Sequence, residues 1–111
     1  MSDFFNSEIV KKDIKNISSL QKKIYKNIFV FPSMNKEDKI KHIHMVNELI
    51  EKQKLLYTRL SLSEDPDAQD VKQQMVNYAV QSGMNPQCNL IDLFNSMSSI
   101  LTCTKNRIDN N

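Results

Sequence analysis

One glycine and three prolines are all the chain-breaking residues in 111 positions, and each falls where a run of helically spaced apolar residues ends. Pro32, Pro66, Gly83 and Pro86 therefore cut the chain into four segments with no plausible strand between them. The expected fold class is all-α, with about four helices over roughly 6–31, 35–62, 65–82 and 86–107 in a helical hairpin or small bundle. Residues 1–111 read as a single helical domain whose ends, 1–4 and 108–111, are expected to fray. A chain of this length removes only about two thirds of its unfolded surface from water, so its core is expected to be thin.

The first segment opens with Phe5 before a candidate cap, Asn6, and Phe5 is placed to pack on Val10 as a hydrophobic staple. Val10, Ile14, Ile17, Gln21, Ile24, Ile28 and Phe31 then follow alternating spacings of four and three, with Gln21 the one polar break. Pro32 stops the helix because it has no amide donor and its ring clashes with the preceding turn. Asn35 can cap the second helix, whose first turn carries Glu37 and Asp38 at the positive end of the helix dipole. Its apolar stripe of Ile40, Ile43, Val46, Ile50, Tyr57 and Leu60 is widened by Leu49, Leu55, Leu56 and Leu62, which is more than one neighbouring helix can cover.

Asp65 followed by Pro66 is the clearest helix start in the chain, a cap residue and then proline at the first helical position. Ala68, Val71, Met75, Tyr78, Ala79 and Ser82 are expected on the inner side of this third helix, with Gly83 in a left-handed conformation closing it. Asn85 and Pro86 repeat the same device, which predicts a fourth helix from Pro86 with Leu90, Phe94, Met97, Leu101 and Ile108 on its inner side. On that reading Cys88 and Cys103 share one helix about 22 Å apart, too far for a disulfide, and both are expected as buried, reduced thiols.

Charge is asymmetric. Residues 1–62 hold twelve Lys and Arg against seven acids, and residues 63–111 hold three against six. The net charge of +2 is too small for a nucleic-acid coat or a polybasic membrane anchor and directs attention to protein partners. The chain shows neither a long apolar run nor the pattern of a secretory signal, so a cytoplasmic location is expected. Lysines 11, 12, 15, 22, 23 and 26 are numerous enough to follow phosphates, but with no arginine or stacking aromatic on the basic side they read as a solvated face.

Catalytic chemistry finds little to work with. His42 and His44 are two residues apart on a helix and point about 200° away from each other, so they do not chelate as a pair. Neither cysteine has a histidine near it in sequence, and a phosphate-cradling loop needs more than one glycine. No enzyme activity, metal or cofactor is expected. A sharper pattern is Gln87, Leu90, Leu93 and Phe94 in QCNLIDLF, spaced like short peptides that insert apolar knobs into ring-shaped sliding clamps. The same residues suit the buried face of the fourth helix, and burial there is the first expectation for them.

EKQKLLYTRLSLSEDPDAQ, with FFNSEIV before it and SGM and LFNSM after it, resembles the late-transcription coactivators of large contractile-tailed phages of cyanobacteria. FFNSEIV, SEDPDAQ and GMNPQ also resemble a small cyanobacterial family of unknown function. The first resemblance implies an adaptor in the host bacterial cytoplasm that binds the β flap of host RNA polymerase, with the phage sliding clamp and a phage sigma factor as possible further partners. On that resemblance Leu55, Leu56, Tyr57, Leu60 and Leu62 are candidates to form or support the flap-binding groove, and Gln87, Leu90, Leu93 and Phe94 to meet the clamp. The chain departs from the wider coactivator pattern, in which the clamp peptide lies at the extreme C-terminus, because RIDNN is polar. The alternative is a structural helical protein that self-associates, as a homodimer for instance, through its heptad faces.

Overall fold

A computed structural model describes residues 3–110. Within them the fold is all-helical: α1 (Asp3–Asn6), α2 (Glu8–Asn27), a 3-10 turn (Phe31–Ser33), α3 (Lys36–Leu62), α4 (Pro66–Gln81) and α5 (Leu90–Asp109). The long helix α3 is the axis of the molecule. It packs on α2 along one side, on α5 along another and on α4 through its C-terminal half. Polar contacts fix the antiparallel directions. Arg59 near the end of α3 pairs with Asp13 near the start of α2 at 3.2 Å. Lys36 at the start of α3 donates to the backbone carbonyl of Asp109 at the end of α5, and Lys54 donates to Asn95 Oδ1.

The start of α3 follows the sequence closely: Asn35 Oδ1 accepts from the Asp38 amide at 2.8 Å, one of the donors a helix start leaves unpaired. The corner between α3 and α4 is built by SEDPDAQ. Asp65 Oδ1 caps α4 by accepting from the Asp67 amide, and its Oδ2 accepts from the Phe4 amide, which ties α1 to the corner. Gln69 Nε2 donates to the carbonyls of Leu60 and Ser63 at the end of α3, where the Leu60 carbonyl also accepts from the Ser63 amide. At the far end of α4, Gly83 has φ +116°, the Met84 amide bonds the Ala79 carbonyl and the Gly83 amide bonds the Val80 carbonyl. This is the Schellman closure expected of a glycine one residue past the cap.

Several expectations need correction. The first helix is not continuous from residue 6, because Ser7 is extended (ψ 132°) and is the cap of α2, while Asn6 belongs to α1. The buried row of α2 is Val10, Ile17 and Leu20, and Ile14 and Ile28 stay 40% and 47% exposed. At 100° per residue Val10, Ile17 and Leu20 span about 80°, with Gln21 and Ile14 beyond one edge of that arc, so the face packed inward is rotated from the expected seam. The fourth helix begins at Leu90, not Pro86: Asn85 and Pro86 form an isolated turn closed by the Cys88 amide on the Asn85 carbonyl, and Asn89 caps α5 through the Ile91 amide. Cys88 therefore lies outside the helix, and both cysteines are exposed and free, against the expectation of burial. Tyr78 and Ser82, expected on the inner side of α4, are exposed as well.

The result is thin. Its extents are 49 × 32 × 19 Å, and the smallest is about two helix diameters. The radius of gyration is 15.8 Å, where a compact chain of this length has about 13 Å. Ile50, Tyr57, Ala79, Leu90 and Phe94 form the main core cluster, where α3, α4 and α5 meet.

Candidate protein-docking groove

α4 and α5 both lie on α3 but make little direct contact with each other, and an open groove of 580 Å³ runs between them. Its α4 wall is Val71, Met75, Tyr78 and Ala79, spaced four, three and one apart, so they fall within an arc of about 100°. Its α5 wall is Leu90, Leu93, Phe94 and Met97, spaced three, one and three apart on the opposite side. Gln53 from α3 and Gln74 from α4 are the polar members. Leu90 and Phe94 are only 4% and 6% exposed and form the floor, while Tyr78, 74% exposed, stands at the rim.

The floor is held by aromatic contacts. The Phe94 ring meets Tyr57 edge to face at 6.4 Å, and the Lys72 ammonium sits 5.9 Å over the other ring of that pair, Tyr57. Such contacts add directionality to simple burial. The walls are softer, since Met75 and Met97 are unbranched thioethers that repack around different shapes at little cost. Apolar rows on two diverging helices offer spaced sockets to the side chains of a third helix, the geometry of helix-in-groove recognition.

The residues singled out from sequence separate into two groups. Of the flap candidates, Leu60 is fully buried and Tyr57 nearly so, Leu56 is half-buried, and Leu55 and Leu62 are 45% and 81% exposed. Tyr57 and Leu60 thus support the fold from inside, and Leu55 and Leu62 stand two turns apart on the outward flank of α3. Isolated exposed leucines are ordinary on protein surfaces. Of the clamp candidates, Leu90, Leu93 and Phe94 line the groove, and Gln87 is exposed in the turn before α5. Leu90 and Phe94 therefore face a cavity of their own fold and do not project as knobs.

The spacing of Val71, Met75, Tyr78 and Ala79 predicts an inner face, and the structure makes that face a wall of an open groove. The available signal is the apolar spacing of Val71, Met75, Tyr78 and Ala79 along α4, which marks the row but not what covers it. His42 is buried against Phe31, with ring centroids 5.2 Å apart, whereas His44 is exposed, so the two diverge as their spacing requires. Among the described residues no three His, Cys, Asp or Glu side chains converge as a metal site would need. No helix among them is long and apolar enough to cross a membrane.

Comparison with known proteins adds one finding. Residues 2–108 match the model of a family described as a domain of unknown function, DUF1825. The chain belongs to the DUF1825 family. The match spans every element of the fold from α1 to nearly the end of α5, so the corner at SEDPDAQ and both walls of the groove lie within the family domain. No curated protein and no solved structure matches the chain.

Proposed function

We propose that this protein is a non-enzymatic adaptor that works by docking on another protein through the groove between α4 and α5. The observation that carries the reading is the apolar surface its own packing leaves open. The accessible surface is 7739 Å², where a compact protein of 12.9 kDa exposes about 6,300 Å². The difference, about 1,400 Å², exceeds the roughly 800 Å² that each partner contributes to a standard protein interface.

The resemblance in EKQKLLYTRLSLSEDPDAQ narrows the partner to host RNA polymerase at its β flap, in the role of a phage late-transcription coactivator acting in the host bacterial cytoplasm. The sliding clamp and a phage sigma factor are further partners on the same resemblance, with Gln87 and Leu93 the clamp candidates that the core does not fully enclose. The purified protein is expected to co-elute with host polymerase, to lose it when the flap tip is deleted, and to lose it in the variant Leu93→Asp with Tyr78→Asp while remaining helical. Co-elution that survives both changes rejects the groove as the site. The same open surface supports a second reading, self-association. Sedimentation separates the two: a stable dimer at micromolar concentration that ignores polymerase favours self-association.

A further inference from the structure

The outward face of α2 carries a second surface, unrelated to the groove and independent of the docking reading. Lys11, Lys15, Lys22 and Lys26 are exposed, and at 100° per residue they fall within an arc of about 60° along roughly 22 Å of helix. The acids of α2 do little to offset them. Asp13 is turned inward to Arg59, and Glu8 reaches only Lys11, at 3.8 Å, in the first turn. Ser18 and Ser19, in the middle of the stripe, are short, and a shallow depression opens there between Lys15 and Lys22.

Two aromatic residues continue this stripe. Tyr25, in the last turn of α2, is 72% exposed, and Phe29, in the turn that follows the helix, is 91% exposed. The stacking positions that seemed absent from the basic side of the sequence are therefore occupied. Phe29 is the most exposed of the large apolar side chains, and burial in this fold does not account for it.

We infer that the outer face of α2 binds single-stranded nucleic acid without sequence preference, its lysines following the phosphates and Tyr25 and Phe29 stacking on bases. A charged track with accessible aromatic faces is the combination such binding requires, because every base has a π-face and every phosphate a charge. A membrane surface fits less well. The apolar side of α2 is already packed on α3, so the helix cannot lie flat in a bilayer, and a tip led by Phe29 would leave Lys15 and Lys11 roughly 20 to 27 Å away.

The test is fluorescence anisotropy with labelled oligothymidine and a labelled duplex of equal length, across a salt series. Oligothymidine is expected to bind more tightly than duplex. Tyr25→Ala with Phe29→Ala is expected to weaken oligothymidine about tenfold or more and leave duplex unchanged. Lys15→Gln with Lys22→Gln is expected to flatten the slope of log affinity against log salt by about 1.4, while Lys41→Gln with Lys105→Gln, the same loss of charge on other helices, leaves it as it was. All these side chains but Lys105 are exposed, and circular dichroism confirms that each variant is folded. The inference is overturned if duplex binds as well as oligothymidine, if the aromatic pair has no effect, or if the off-face lysine pair matters as much. It is also overturned if vesicles of phosphatidylcholine and phosphatidylserine sediment the protein while oligothymidine fails to bind.

Discussion

Asp65→Ala tests how the fold is held at its corner. One carboxylate oxygen accepts from the Asp67 amide and caps α4, and the other accepts from the Phe4 amide and anchors α1. Loss of the cap costs about 1 kcal/mol. The second bond, charge-assisted but only partly buried, contributes about 1 kcal/mol more once discounted for solvent. For a domain of about a hundred residues, a total of about 2 kcal/mol lowers Tm by about 10 °C. Asp65→Ser separates the contributions, because serine keeps an oxygen for the cap and has none left for Phe4; its loss is expected to be about half as large. Thermal melts followed by circular dichroism at helix wavelengths read both variants. Equal losses for Ala and Ser, or an Ala shift of less than about 3 °C, would refute the double role assigned to Asp65.

Two further stability predictions follow from burial and backbone geometry. Leu60→Ala, at a fully buried position, is expected to cost about 2–5 kcal/mol, whereas Leu62→Ala, 81% exposed and two residues later, is expected to stay within about 0.5 kcal/mol; urea denaturation distinguishes them. Gly83→Ala is expected to cost at least about 1 kcal/mol although an added Cβ meets nothing within 4 Å, since φ +116° is strained for any L side chain. A Gly83 variant as stable as the parent in the same denaturation would show that the turn relaxes.

The parts of the fold readable in sequence are those decided by local chemistry. Asn35, Asp65 with Pro66, and Gly83 mark boundaries that the structure reproduces, because a cap oxygen, a missing amide donor and a positive φ act within a few residues. The boundaries that shifted are those where a local signal was satisfied in a smaller way. Asn85 with Pro86 carries the same signal as Asp65 with Pro66, yet it closes one turn, and Asn89 takes over the cap four residues later. The break at Ser7 depends on α1 reaching Asp65, sixty-one residues away from Phe4, which no local pattern encodes.

The groove was half legible for a similar reason. Apolar spacing identifies which face of α4 and of α5 is hydrophobic, but whether two such faces close on each other is set by how both cross α3. Leu90 and Phe94 found cover on Tyr57 and Ile50, while Tyr78 did not and stands at the rim. The exposed cysteines show the same dependence: Cys88, expected within a helix, precedes by two residues the start of α5 at Leu90.

Whether the α4–α5 groove closes over a partner can be measured directly by oxidative footprinting of the methionines, read by mass spectrometry, in the free protein and in its complex with host RNA polymerase. Met75 and Met97 line the groove and Met34 and Met45 lie elsewhere, so the molecule contains its own controls. Docking in the groove predicts that oxidation of Met75 and Met97 slows several-fold in the complex while Met34 and Met45 are unaffected. Unchanged oxidation of Met75 and Met97 in a complex that forms would contradict it.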